Sequence, residues 1–293
     1  MNRKINYEIT KEYPSIHAFF KEKHYPKGLV ASLKRNPLVW KNGEACMLYQ
    51  PLQIGDILTI QLPEENTHSS LQIVPIHVDL DVVYEDEDIL VINKPAGMSI
   101  HPSINHYEDS LANAVAGYYA AKGESIVFRC VNRLDKNTTG LTIIAKNLLA
   151  SAVLNTQGKN REIHRTYYAI VEGEIATDGV VDAPIGRVDD SVILRGVDYE
   201  NGQSAITHYH PIRYNNGYTL IQCTLETGRT HQIRVHMNHI GHPLPGDYLY
   251  HPVFDHISRQ PLHSYRLTFS HPITGEYMDF TCPIPKDMEE LIG

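Results

Sequence analysis

Hydrophobic residues recur with two different periods along this chain, and the changes of period mark its elements. In residues 109–123, Leu111, Ala114, Val115 and Tyr118 stand at i, i+3, i+4 and i+7. That spacing predicts an amphipathic helix, with Asp109 or Ser110 as cap and Gly123 as terminator. A second helix is predicted over 147–158, capped by Asn147 and stopped by Gly158. A third covers 229–241, with Ile233, Met237 and Ile240 on one face. Residues 15–36 read as two short helices broken around Pro26-Lys27-Gly28. Elsewhere the period is that of strands. DVVYEDEDILVINK reads as strand, acidic turn, strand, and LTIIAK (141–146) as a short buried strand. Strands follow at 163–172 and at 204–212 and 218–226 around Asn215-Asn216-Gly217, with a last hairpin around HPITG. Near the start, the chain turns at Asn42-Gly43, and QIGDILTIQL ends in an alternating strand. Strands outnumber helices and rarely alternate strictly with them. The expected fold is therefore α+β on a mixed, largely antiparallel sheet rather than a doubly wound one.

A polar stretch at 63–77, punctuated by Pro63 and Pro75, predicts a boundary. It divides the chain into a small domain, 1–75, and a larger one, 76–293. Charge sharpens the division. Residues 1–50 carry nine Lys/Arg and four acids, leaving −13 on the rest of a chain whose formal net charge is −8. A basic module on an acidic body points to a polyanionic partner for the module. A chain 42% hydrophobic and 20% charged is neither disordered nor collagen-like. The four cysteines are scattered without a Cys-x-x-Cys pair. That argues for free thiols and a reducing, cytoplasmic setting. No apolar run is long enough for a membrane span, and MNRKINYEIT lacks the core of a secretory signal.

Candidate chemistry concentrates in three stretches. In VNRLDKNTTGLTIIAKN (131–147), Asp135 sits on a turn just before a buried strand, an exposed carboxylate on a rigid support. Gly140 is expected to supply an unusual backbone angle or a close approach. A simple turn-capping role for Asp135 fits this segment equally well. In TLETGRTHQIRVHMNHIGHPLPGDYLY (224–250), His231 and Arg234 lie three apart and share a helix face opposite the apolar stripe. An arginine aimed inward from there suits a buried carboxylate. His236, His239 and His242 recur every three residues, a spacing that drifts around a helix and does not converge on a metal. In REIHRTYYAIVEGEI (161–175), Tyr167 and Tyr168 point to opposite faces of a strand, so one of them turns inward.

Together these stretches carry a resemblance. INKPAGMSIHPS (92–103), NRLDKNTTGL (132–141), RTYYAIVEG (165–173), GRTHQIRVHMNHIGHPLPGDYLY (228–250) and LHSYRLTFSHPITGE (262–276) occur in an order that resembles the RluA-like branch of the large-subunit ribosomal RNA pseudouridine synthases. The resemblance covers about residues 78–285. It implies a pseudouridine synthase catalytic domain in which Asp135, in Arg-Leu-Asp, is the catalytic aspartate. It further implies Tyr167 as the active-site tyrosine and Arg234, in Gln-Ile-Arg, as the buried partner of Asp135. Arg133 is expected to enter the space left by a displaced nucleotide. Three positions depart from the pattern: Asn132 for a histidine, Thr139 for a serine, and His251 where a glycine commonly follows the tyrosine. Asn132 is the departure expected to alter RNA contacts. The N-terminal segment resembles a small RNA-binding domain shared with a small-subunit ribosomal protein, although Ser15-Ile16-His17 replaces the usual start of its first helix.

The implied reaction is an isomerisation. A ribose–nitrogen bond breaks, the base turns and it is rejoined through carbon, so no atoms are added and no cofactor or metal is needed. An ionised carboxylate can attack the sugar carbon or remove an adjacent sugar proton. Arg234 would keep Asp135 anionic by charge pairing. Tyr167 could stack on the base and help remove the proton from its carbon. The target uridine must flip out of a structured RNA, with Arg133 holding the gap. Arg165, Arg229 and His231 are candidate RNA contacts near the site, and Lys34 and Arg35 on the N-terminal module. Large-subunit ribosomal RNA is the implied substrate, transfer RNA the alternative, and a monomer the expected state. Three rival readings remain at this point: a non-catalytic ribosome-assembly factor, a glycosidase using Asp135 with Glu226, and a histidine metal site.

Overall fold

The computed structural model describes residues 3–65, 73–102, 107–188 and 191–293. The centre of the expected boundary (66–72) and the last residue of the first motif, Ser103, lie outside these.

Residues 4–61 form a unit with its own sheet. Strand β1 (Lys4–Glu8), helices α1 (Ile16–Glu22) and α2 (Lys27–Arg35), and strands β2 (Val39–Lys41), β3 (Glu44–Ala45) and β4 (Ile57–Gln61) follow in order. The sheet order is β1-β4-β2-β3, antiparallel throughout. Ser15 caps α1 by accepting from the Ala18 N–H, and Pro26 starts α2. Asn42 and Gly43 both take positive φ, the twist that closes the β2–β3 hairpin. Ile16, Phe19, Phe20, Leu29, Leu33, Leu52, Leu58 and Ile60 fill the core of this unit, and Leu149 and Val153 of the neighbouring body join it. Arg3 clamps the same junction, donating to both carboxylate oxygens of Asp88 at 3.1 and 2.7 Å.

The body is built on β5 (Val82–Glu85), β6 (Ile89–Lys94), β7 (Thr139–Ala145), β8 (His164–Glu172), β9 (Gly179–Asp182), β12 (Ile206–Asn215), β13 (Tyr218–Leu225), β14 (Leu262–Ser270) and β15 (Tyr277–Thr281). The order is β5-β6-β7-β14-β8-β13-β12-β9, with β15 on β14. One pairing, β7 with β14, is parallel, and the others are antiparallel, so the sheet is mixed as the sequence pattern implies. A separate hairpin of β10 (Ile185–Arg187) and β11 (Arg195–Val197) stands beside it. Helices α3 (Leu111–Ala121), α4 (Leu148–Lys159), α5 (Gln232–His239) and α6 (Lys286–Ile292) complete the body.

Alternation along β6 shows why its run is apolar on every side. Leu90 and Ile92 pack with α3 and α5, while Ile89 and Val91 pack with Ala150 and Leu154 of α4. A sheet covered on both faces buries both sets of side chains. Ser110 caps α3 and Asn147 caps α4, as expected. Gly158 does not stop α4, which runs one residue further and ends at Asn160. Helix α5 starts at Gln232, three residues later than the periodicity predicts, because His231 takes a left-handed conformation. Strands β1, β9, β10 and β11 and helix α6 are not among the elements predicted from the sequence. No helix among the described residues is long and apolar enough to cross a membrane.

Candidate active site

The loop 131–138 enters β7 through Gly140. This glycine has φ of +106°, and a Cβ there would lie 2.4 Å from the Ser264 carbonyl oxygen. Both expectations for Gly140 therefore hold at the one place where β7 and β14 run parallel. Asn132 anchors the loop from inside. Its side chain donates to the Leu141 carbonyl at 3.0 Å and accepts from the Ile143 N–H at 2.8 Å, and it is buried. It thus completes the edge of β7, which corrects its expected role in RNA contact. Thr139 is likewise buried, with its hydroxyl 2.8 Å from His263 Nδ1.

Asp135 projects from this loop, its side chain 26% exposed. Arg234 Nη1 donates to Asp135 Oδ2 at 2.9 Å, so Asp135 faces a guanidinium, which distinguishes it from a turn cap. The rest of that guanidinium grips a second carboxylate. Nε and Nη2 donate to Asp247 Oδ2 and Oδ1 at 2.6 and 2.7 Å, a bidentate pair buried on both sides. Asp247 also accepts from the backbone N–H groups of Leu249 and Tyr250. The rings of Tyr250 and Tyr248 lie 5.1 and 5.5 Å from the guanidinium carbon. Burial opposes the charge of Arg234. The Asp247 hydrogen bonds and the charges of Asp135 and Asp247 outweigh burial and raise its pKa above the ordinary value. One fixed cation thus serves two carboxylates, of which only Asp135 reaches solvent.

Tyr167 lies on β8, opposite Ser264 of β14 and Cys223 of β13, and is buried in the main core. Burial raises its phenol pKa, the Arg165 charge opposes the rise and the Asp135 charge adds to it. At neutral pH it is a protonated phenol. Tyr168 faces the other way and stacks on Tyr265 at 4.2 Å. Arg165, two residues before Tyr167, passes over the backbone of Gly228, where a Cβ would fall 3.2 Å from its guanidinium nitrogens. Its buried Nε has no hydrogen-bond partner among the described residues. Arg133 and Arg229 are exposed, and Arg229 Nε donates to the Ser204 carbonyl. The Arg133 charge reaches His101, where burial first and then that charge depress the imidazole pKa. His231 Nε2 lies 3.9 Å from Asp135 Oδ1.

Lys34 and Arg35 are exposed at the end of α2. They line an open groove of about 1290 Å³ formed by the N-terminal unit and Thr156, and not the surroundings of Asp135. Met47 and Tyr49 also line it and are 61% and 77% exposed.

Sequence reading missed three groups. Asp247 is the first, and its neighbour Gly246, at φ +67°, is the one local sign that the chain is folded tightly there. Tyr250, whose ring flanks Arg234, is the second. Lys94 is the third. Its Nζ donates to the carbonyls of Pro95, Met98 and Lys136 at 2.8, 2.9 and 3.0 Å. Three acceptors match the three N–H bonds of an ammonium and tie the residue after Asp135 to the end of β6. Burial pulls the Lys94 pKa down to about 7, with the Asp135 charge opposing it. The signal was a lysine closing the strand ILVINK, whose first four residues are apolar.

Two rival readings fail on this geometry. Glu226 pairs with His208 Nε2 at 2.8 Å and Arg161 at 3.2 Å on the surface, while Arg234 turns to Asp135, so no glycosidase carboxylate pair is assembled. His236 is held by Thr207 Oγ1 and the Ala183 carbonyl and His242 by the Glu172 carbonyl, so the histidine series does not converge. Among the described residues a different trio, Asp86, Asp88 and His271, is close enough to share an ion. Its carboxylates are already engaged by Arg3, Asn147, Tyr84 and backbone N–H groups.

The site thus joins a loop-borne aspartate, the buried arginine paired to it, and a sheet tyrosine that the aspartate's charge reaches. The RNA pseudouridylate synthase family model matches residues 88–239, and the chain belongs to this family. It is 44% identical over 252 residues to an uncharacterised RNA pseudouridine synthase, YjbO, of Bacillus subtilis, covering 86% of this chain and 88% of that one. It is 41% identical to the ribosomal large subunit pseudouridine synthase D of Zymomonas mobilis, over 80% of this chain and 78% of the other. Human RNA pseudouridylate synthase domain containing 1 superposes with a TM-score of 0.59 at 25% identity, over 70% of this chain and 83% of that structure.

Proposed function

We propose that the protein converts uridines of large-subunit ribosomal RNA to pseudouridine, with Asp135 as the catalytic carboxylate. The pairing of Asp135 with the buried Arg234 at 2.9 Å carries this reading. In it, Arg234 holds Asp135 ionised and aimed, so that one oxygen can attack the sugar carbon or take a sugar proton. Low exposure around the pair strengthens the electrostatics at the reacting atoms. Tyr167 offers the flipped base a ring face and a hydroxyl for the proton that leaves carbon. Arg133 enters the helix gap, and Arg165, Arg229 and His231 meet the backbone and sugar of the bound strand. Substrate choice is supported by the large-subunit enzymes among the relatives.

Residues 1–75 act as an RNA-binding domain and 76–293 as the catalytic domain, working as a monomer in the cytoplasm. Support for the first comes from the basic groove beside Lys34 and Arg35, with Tyr49 exposed for stacking. The test is pseudouridine mapping of ribosomal and transfer RNA in cells lacking the protein, rescued by wild type or by Asp135→Asn. Large-subunit sites should vanish on deletion and return only with wild type. Loss of sites in transfer RNA alone would reassign the substrate, and loss of none would overturn the proposal.

A further inference from the structure

His231 is the residue that periodicity placed inside α5 and the structure placed before it. Its backbone is left-handed, with φ 59° and ψ 19°. For a residue with a Cβ that backbone is strained, and such strain concentrates at functional sites. Helix capping does not account for it, because the side chain makes no capping hydrogen bond. Glycine or asparagine would take the same turn with less strain. His24 and Arg161 take the same backbone region elsewhere, so it is the surroundings of the imidazole that single His231 out.

Tyr250 Oη lies 2.9 Å from His231 Nδ1 and accepts from the Arg195 N–H at 3.1 Å. With the amide proton already met by its oxygen, the hydroxyl has its own proton available for Nδ1. Burial pushes the Tyr250 phenol up to about 12, so that proton is retained. Burial also lowers the His231 pKa, with the Asp135 charge opposing, which favours the neutral ring. A neutral imidazole that accepts at Nδ1 carries its proton on Nε2. Nε2 faces Asp135 Oδ1 at 3.9 Å, while Oδ2 is held by Arg234. The two oxygens of Asp135 are therefore unequal, one fixed and one free.

We infer that Asp135 Oδ1 is the reacting oxygen and that His231, locked by Tyr250 as the Nε2–H tautomer, is the positioning residue that limits where Oδ1 points. The gap of 3.9 Å is longer than a hydrogen bond, so Oδ1 can reach the sugar yet return to a donor between turnovers. The inference also links the β10–β11 hairpin, through the Arg195 N–H, to the catalytic carboxylate. It rests on the reading of Asp135 as catalytic.

The test uses the full-length protein and a structured RNA containing its target, with single-turnover rate, RNA affinity and melting temperature measured together. His231→Gly suits the left-handed backbone and removes the ring. It should keep the melting temperature while the single-turnover rate at saturating RNA falls about 10-fold, the scale of a misplaced reacting group. His231→Gln returns an N–H near the Nε2 position and should recover most of that loss. A full rate in His231→Gly, or no recovery in His231→Gln, would overturn the inference. Nitrogen NMR of the wild-type imidazole is independent of any variant. An Nε2–H pattern that becomes mixed in Tyr250→Phe is expected, and a wild-type Nδ1–H pattern refutes the lock. Asp135→Asn in the same assay separates the two readings. Activity there removes the catalytic reading itself, whereas an inactive Asp135→Asn beside a fully active His231→Gly removes only the positioning role.

Discussion

Arg234 and Arg35 carry the same charge in opposite settings. Arg234 lies in the body, its side chain 1% exposed, between the carboxylates of Asp135 and Asp247 and two tyrosine rings. Arg35 stands in water at the end of α2, beside Lys34 and a groove edged by Met47 and Tyr49. Around Arg234 the charges are paired before any RNA arrives. Such an arrangement acts on a transition state without reorganising, and its cost is met at folding. Around Arg35 the charges are hydrated and screened, and gain value by releasing counterions when a polyanion binds. The first region should govern rate and stability, the second affinity and its dependence on salt.

The sharpest challenge to this division is Asp135→Asn. An amide oxygen can still accept from Arg234 Nη1, and the side chain is partly solvated. Stability should change by no more than about 1 kcal/mol. Turnover should fall on the order of 10⁴-fold, as when a member of a catalytic unit is removed. Denaturant melts and a single-turnover assay on one preparation check both halves. A large loss of stability would mean that Asp135 is structural.

Arg234→Met comes next. It strands Asp247, whose side chain is 1% exposed and keeps only backbone N–H partners. Breaking one side of a buried pair costs about 3–5 kcal/mol. The double variant Arg234→Met with Asp247→Leu removes both charges and should recover much of that stability while turnover stays lost. If activity returned with stability, Arg234 would serve the fold alone.

How far the site was legible depends on how local its determinants are. The caps of α3 and α4 sit next to the helices they start and were read directly, Ser110 as one of two candidates with Asp109, and Asn147 alone. So was Gly140, whose position between a polar turn and an apolar strand leaves few roles. The pairing of Asp135 with Arg234 spans 99 residues of sequence, and no periodicity joins two such points. It came from the resemblance and not from spacing. Asn132 was misread because a polar residue in a loop carries no sign of its direction, and here it turns inward to β7. Asp247 and Lys94 escaped because a buried charge looks like a surface charge until its partners are known. Gly140→Ala probes the legible part. The left-handed φ and the approach to Ser264 should together cost at least about 2 kcal/mol, and activity should fall with the displaced loop. A melt unchanged from wild type would show that β7 and β14 can separate freely.

The smallest effect is expected in the groove. Replacing Lys34 and Arg35 together by alanine removes two exposed charges with no buried partner, so stability should stay within about 0.5 kcal/mol. Rate at saturating RNA should also hold, because neither side chain lies at Asp135. Affinity should weaken, and weaken less steeply as salt is raised, since two fewer counterions are released. The slope of log affinity against log salt should shrink by about 1.4–1.8, the lower figure applying to single-stranded contacts. Equilibrium binding at several salt concentrations measures it. An unchanged slope would place the RNA elsewhere on the molecule and leave Arg133, Arg165 and Arg229 of the body as the electrostatic footprint. A lowered rate at saturation would erase the division between the two regions, because a charge in water on the N-terminal unit would then be acting on chemistry at a carboxylate it does not touch.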